Sequence, residues 1–478
     1  MRKSAVVIAI HALLIVAVIV SVGVLGLIAS LSRDVLGQSK FTGVLEQNVT
    51  LHILENDTAK EQGYLKALLD AFNAEYAQYG ITAVDANIDQ YNDLEQSGPF
   101  GYGPDVLYQA NDVLMKYVDG NHILPLPIEE LDCYEYVSEA AWNVYEVKKS
   151  GQEGVYAVPV NIQQPLLFYR DDLLPVDWQT NWDDDKNGVP DMVEYWTDLY
   201  RFSKQIREGS NGSKYGYMES LLDTYFSAGY LFSFGGYIFG GENRDDTYDI
   251  GFHKGDSYKG ARIIRQLASV MNMECTEHTI SSNRYSRMAS GTYFATMTTP
   301  DVYTMFIREM VNAGYTQEYA VEHIKMVNVP KLPVSGDLED ESQGFMDMTV
   351  MGGVNGYAIS SYTKYPNAAL AFVDFATKYE MINKRVELLG ISPARSDVVE
   401  NLSELDKAIS NNLNSGNIYV MPSIRATSSI WAPMETFFAL IAGDILENKN
   451  QYATDAALKN GLAKASQDVY DAIHILAG

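Results

Sequence analysis

At 478 residues the chain is too long for one hydrophobic core, and a composition of 47% hydrophobic and 12% aromatic residues supplies apolar surface for two or three. Its formal net charge of −27 argues against nucleic acid as a partner, because gripping a phosphate backbone takes concentrated Lys and Arg. The same acidic surface suits a neutral or cationic ligand better than an anionic one.

Arg2 and Lys3 precede Ala5–Leu31, which contains no Asp, Glu, Lys or Arg. A secretory core is usually about 7–15 residues, so this run is long for one. It suffices to span a bilayer. Residues 1–31 are therefore expected to anchor the chain as an uncleaved transmembrane helix. The basic end stays cytoplasmic and the remainder lies on the outer face of the cytoplasmic membrane; cleavage would leave it secreted. No cysteine follows the run, which excludes a lipid-anchored N-terminus. Residues 32–48 read as a polar spacer.

Val49–Leu54 alternates as a strand, and Leu65, Leu68, Leu69, Phe72 and Tyr76 recur at helical spacing. Ile81–Ile88, Pro104–Tyr108 and Asn111–Asp119 continue as strand, strand and helix, which indicates an α/β lobe with a largely parallel sheet. Ligands bind at the carboxyl ends of such strands, here Glu55–Thr58 and Gln109–Asp112. Tyr156–Pro175 (YAVPVNIQQPLLFYRDDLLP) has an extended run, then polar Asn161, Gln163 and Gln164, then a second apolar run. That pattern fits a strand leaving one core and entering another, with its polar residues facing an interlobe cleft.

Downstream, Tyr195–Arg207 and Tyr258–Met271 are predicted helices, and the aromatic stretch Leu221–Gly241 packs as helix core. Gly291–Thr298, Ile324–Leu332 and Asn355–Ser360 read as strands, and Pro366–Tyr379 as a helix. Ile391–Arg395 reads as a further crossing, and Trp431–Gly443 and Tyr452–Ile475 as a helical tail. Cys133 and Cys275 are far apart and fit one disulfide or none. Cys275-Thr276-Glu277-His278 lacks a second half and reads as a helix end rather than a metal site.

Asp183-Asp184-Asp185-Lys186-Asn187-Gly188-Val189-Pro190-Asp191-Met192-Val193-Glu194 follows a calcium-loop pattern. Side-chain oxygens fall at positions one (Asp183), three (Asp185), five (Asn187), nine (Asp191) and twelve (Glu194). Gly188 stands at six, and Val189 offers its carbonyl at seven. Hard Ca²⁺ takes six to eight oxygens, and a glycine at six permits the sharp turn. The competing reading is an acidic turn capping the next helix. Pro190 at eight departs from the usual pattern, and no paired loop is evident, so a lone structural calcium ion is the expectation.

The order of several segments along one chain carries a resemblance: Gly103–Leu107, Tyr156–Pro175, Gly291–Pro300, Gly390–Arg395 and, most specific, Met421-Pro422-Ser423-Ile424 with Trp431 after it. The chain resembles the extracellular solute-binding proteins of ABC sugar importers, of the maltose/maltodextrin-binding type. The resemblance covers about Val49–Ala477. It implies two α/β lobes of the type II periplasmic-binding fold: residues 49–160 with 352–390, and 161–351 with 391–478. Hinges are expected near Val160, Met351 and Ser392. It also implies an oligosaccharide ligand, malto-oligosaccharide favoured, and delivery to ABC permease subunits with their ATPase.

On that resemblance Asp112 matches a carboxylate that takes sugar hydroxyls, and Glu55 or Asp57 matches an acidic contact in the first cleft loop. Asp223 and Tyr225 match an acid and a stacking tyrosine, and Trp431 a stacking tryptophan. There are departures. Gln109 and Asp301 stand where the maltose type has tryptophans, with Tyr303 as a substitute platform. Val113 replaces an arginine, and Asn161 or Gln163 stands where the crossing carries an acid. Two other classes compete. A surface sensor or adhesin would be expected to continue into a signalling domain. A carbohydrate-active enzyme would draw an acid pair from Asp112, Asp223 and Asp301, but no catalytic motif accompanies them, so no enzyme activity is expected.

Overall fold

The computed structural model describes residues 40–89, 93–149, 152–242, 244–422 and 424–474. The expected anchor, the first part of the spacer and Ser423 lie outside the described residues. In chain order the first elements are β1 (Thr50–Leu54), α1 (Tyr64–Tyr76), β2 (Thr82–Asp85), β3 (Val106–Ala110), α2 (Asn111–Asp119), β4 (Val158–Gln163) and β5 (Leu166–Arg170). Then come α3 (Trp196–Gly209), β6 (Tyr215–Tyr217), α4 (Thr224–Phe232), α5 (Tyr258–Val270), β7 (Tyr293–Thr298) and β8 (Ile324–Val327). The last part holds β9 (Val350–Ile359), α6 (Pro366–Ala376), α7 (Tyr379–Leu389), β10 (Ser392–Pro393), α8 (Glu404–Asn414), β11 (Ile418–Val420), α9 (Trp431–Leu446) and α10 (Asp455–His474).

Two main sheets organise these elements. The first runs β10-β4-β9-β3-β1-β2, with β11 paired to the start of β9. β1, β2 and β3 are parallel, as alternating strands and helices require. β9 then enters antiparallel between β3 and β4, so the sheet is mixed rather than largely parallel. It is flanked by α1, which buries Tyr64, Leu65, Leu68 and Phe72, and by α6 and α7. The second sheet runs β8-β5-β7-β6, with β5 antiparallel to both β7 and β8. α3, α4, α5, α9 and α10 belong to this lobe. α9 is apolar enough to pass for a membrane span, but Met434, Phe437, Phe438 and Ile441 are buried against its neighbours.

The chain crosses between lobes three times. The first crossing is Gln164–Pro165, between β4 and β5. The second is β9 itself: its first residues pair with β11 and pack on α4, while its remainder fills the first sheet. The third is β11, where Tyr419 stacks on Phe232 of the second lobe at 4.1 Å. Met351 therefore lies at a crossing, but Ser392 does not. β10 pairs with β4, and α8 packs on β4 and β10, so residues 392–414 belong to the first lobe rather than the second. The local irregularity of Ile391–Arg395 comes from a two-residue edge strand.

The three crossings press together at Gly352. A Cβ there would lie 2.5 Å from the Gln163 carbonyl oxygen and 2.8 Å from the Ile418 side chain, so only glycine allows the approach. Beside it, Gln164, Asn328 and Asn412 form a triangle of amides. Gln164 Nε2 donates to Asn328 Oδ1 at 2.9 Å, and Asn412 Nδ2 donates to Gln164 Oε1 and to Asn328 Oδ1, both at 3.1 Å. The end of the expected spacer is not a free tether. The Thr42 and Gly43 amides donate to Asn367 Oδ1, and Glu46 accepts the Ala368 amide at 2.7 Å, which caps the start of α6.

Candidate ligand cleft

β3 ends directly in α2, so Asp112 sits in that helix's first turn, where orphan backbone donors favour an anion. It is half-buried, and burial raises its carboxyl above the ordinary value, opposed by the amides of Val113 and its own residue. Across the cleft Asp223 caps α4, accepting the Tyr225 amide at 3.0 Å. Burial raises its carboxyl too. Asp301 is exposed on the turn that ends β7, and Tyr303, half-buried, opens the next helix. Trp431, half-buried, is the first residue of α9.

One residue ties several of these together. Burial pushes the Tyr225 phenol far up, and the charges of Asp301, Asp112 and Asp223 push it further. Asp112 comes from the first lobe; the other two come from separate elements of the second. Carboxylates from both lobes thus lie near enough to Tyr225 to act on it electrostatically. Glu435 joins them and was not anticipated. Its charge raises Asp223, and its Oε2 lies 3.8 Å from His278 Nε2. Its spacing from Trp431, one helical turn along α9, was the signal that could have found it. Glu95 and Arg425 also meet across the lobes, at 3.3 Å.

Other expected residues are placed differently. Glu55 is fully buried, and both its oxygens are held by Arg385 of α7, at 2.6 and 3.1 Å, with the Tyr357 hydroxyl also on Oε1. Tyr108 and Tyr64 flank that guanidinium at 4.0 and 4.7 Å. A buried carboxylate needs such a partner, and this one has no surface left for a ligand, so Glu55 is removed from the cleft contacts. Asp57 is exposed at the start of a short helix whose N-cap is Asn56. Asn161 is also buried, accepting the Tyr108 hydroxyl, and so faces the sheet interior rather than the cleft. Gln163 is half-buried beside Asn355 Nδ2 at 3.4 Å, and Gln109 is half-buried at the end of β3. Cys133 and Cys275 are both free and buried, and burial raises both thiols.

The acidic loop lies elsewhere, on the second lobe. Asp185, Asp191 and Glu194 each bring a carboxylate oxygen within 4.8 Å of the others. Burial raises Asp191, with Asp184, Asp185 and Asp183 adding to it; burial likewise raises Glu194, with Asp185 and Asp191 adding. These residues offer the hard oxygen donors that a calcium ion takes.

Comparison with known proteins fits this geometry. The family model described as "Bacterial extracellular solute-binding protein" matches residues 67–413, more than half of the chain. The chain belongs to that family. Members are receptors that bind a solute rather than transform it, so the solute-binding protein described here is not an enzyme. It is 22% identical over 433 residues to the galactooligosaccharide-binding protein of Bacillus subtilis strain 168, covering 86% of this chain and 89% of that one. It is 21% identical to the maltodextrin-binding protein MdxE of the same organism, covering 81% and 83%. Among solved structures, it is similar in fold to the maltose-binding periplasmic protein MalE of Listeria monocytogenes in complex with maltose. That likeness has a TM-score of 0.67 at 19% identity and covers 88% of this chain and 97% of that one. The solute-binding protein thus has the two-lobed α/β fold expected of it.

Proposed function

We propose that this solute-binding protein captures a neutral oligosaccharide between its lobes and hands it to the permease subunits of an ABC importer. The observation that carries the reading is that carboxylates drawn from both lobes, Asp112 with Asp223 and Asp301, lie near enough to act on one aromatic residue, Tyr225. A sugar presents apolar ring faces and hydroxyl edges. Tyr225 and Trp431 offer the platforms, while Asp112, Asp223 and Asp301 accept hydroxyl protons in charge-assisted bonds, the stronger kind. Crowded carboxylates disfavour an acidic sugar. The names of the curated relatives support the oligosaccharide class. Gln109 and Asp301, standing in place of tryptophans, thin the aromatic set and leave the galacto- and malto-series as the two to compare. Residues 1–31 supply the membrane anchor that keeps the receptor beside its transporter and raises its effective concentration there.

A thermal-unfolding panel of the full chain with malto-oligosaccharides, galacto-oligosaccharides and acidic oligosaccharides tests the reading. Binding to the folded state alone raises stability by about 2.7 kcal/mol at a hundredfold excess over Kd. A shift with one neutral series is expected. A shift confined to acidic oligosaccharides would overturn the neutral class, and no shift with any of them would remove the oligosaccharide assignment.

A further inference from the structure

We propose that Asp183–Glu194 is a calcium site that clamps the second lobe, separate from the ligand cleft. The loop is turned back on itself by Lys186 and Gly188, both left-handed with φ of 59° and 82°. This brings Asp185, Asp191 and Glu194 together, their oxygens within 4.8 Å of one another. Asp183, at the first position, is only 8% exposed. One of its oxygens accepts the Gly188 amide at 3.3 Å, which turns the carboxylate into the loop. The other, Oδ1, is buried without a hydrogen-bond partner. A buried anionic oxygen left bare is costly unless a cation meets it.

The sequence offers oxygen from three aspartates, the Val189 carbonyl and a glutamate able to bind through both atoms; Asn187 turns its Nδ2 to both Glu194 oxygens, at 3.0 and 3.1 Å, and would add its own oxygen only on flipping its amide. That number and hardness suit Ca²⁺, whereas Mg²⁺ demands a smaller, near-octahedral shell. Pro190 does not spoil the pattern. Its extended backbone, with φ of −66° and ψ of 127°, leads straight into the turn of helix that carries Asp191 and Glu194. The Glu194 carbonyl accepts the Lys331 amide at 2.7 Å, and the Trp196 amide donates back to the Lys331 carbonyl at 3.0 Å. Glu194 is therefore stitched to the segment that follows β8, three residues beyond Asn328 of the amide triangle. An ion held by Glu194 braces that segment against α3.

Terbium luminescence excited through Trp182, the residue beside Asp183, reads the site directly in the chelator-treated full chain. One terbium ion per chain is expected, displaced by calcium and not by equal magnesium, together with an unfolding midpoint that rises with calcium concentration. Glu194→Gln should weaken terbium binding about tenfold or more, as ligand charge sets affinity. It should lose the calcium-dependent rise and yet unfold in chelator at the wild-type midpoint. Absence of sensitised terbium emission, equal displacement by magnesium, or an equal fall for Glu194→Gln in chelator and in calcium would each overturn the proposal. Should Glu194→Gln not fold, Asp185→Asn, on the exposed side of the loop, faces the same three outcomes.

Discussion

At the scale of single residues, the proposed site rests on Trp431 and on Asp112, Asp223 and Asp301. Trp431→Ala removes an aromatic platform and should weaken oligosaccharide binding by about 1–3 kcal/mol by calorimetry, from lost stacking area. Unchanged affinity would take Trp431 out of the site. Asp112 and Asp223 also give the receptor a pH dependence. Their carboxyls are raised by burial, so they protonate at higher pH than an ordinary carboxyl. Accepting hydroxyl protons needs the ionised form, so affinity should begin to fall above the usual carboxylate range as pH drops. Their own contribution to the stability of the unliganded chain should move the opposite way over the same window. A raised folded-state value means that the folded chain binds the proton first, so protonation stabilises it. Affinity and unfolding measured across pH 7 to 4 separate the two trends. The same pH slope of stability in an Asp112→Asn, Asp223→Asn double variant as in the parent would contradict this assignment.

Asp223 shows why residue and element must be argued together. It caps α4 and faces the cleft. Asp223→Ser keeps a capping oxygen and should leave stability nearly intact while weakening the ligand. Asp223→Ala should also cost about 1 kcal/mol in unfolding, as lost caps do. If both variants bind the ligand as tightly as the parent, Asp223 is only a cap. At the crossings, Gly352→Ala would drive a methyl into the Gln163 carbonyl and should destabilise the fold by about 1–3 kcal/mol in denaturant titration. Most elements were readable because their local signals agree with their packing: α2 was anticipated at Asn111–Asp119. Contacts distant in sequence were not. Nothing near Glu55 announces Arg385, and nothing in Ser392-Pro393 announces that a two-residue strand will join β4. Both depend on which segment lies alongside, not on the segment's own periodicity. Asp112, Asp223 and Tyr225 were proposed from the family resemblance and not from local signals, whereas Glu435 needed the orientation of α9 to be known.

The whole molecule should change shape when it binds. Two lobes joined by three crossings beside Gly352 have the form of a hinged clamp. Solution scattering should record a smaller radius of gyration on adding saturating oligosaccharide. A ligand that binds with no contraction would place it outside the cleft. The course of the chain also bears on how the protein is made. β9 lies between β3 and β4 and bonds to both, yet it is synthesised long after either. Until residue 359 has left the ribosome, β3 and β4 each carry an open edge, and the second lobe still lacks α9 and α10. Unpaired edges recruit other chains, and pairings between sequence-distant strands form slowly. The first lobe is thus begun first yet keeps open edges for most of synthesis, and the stage before β9 pairs is the one most in need of a chaperone.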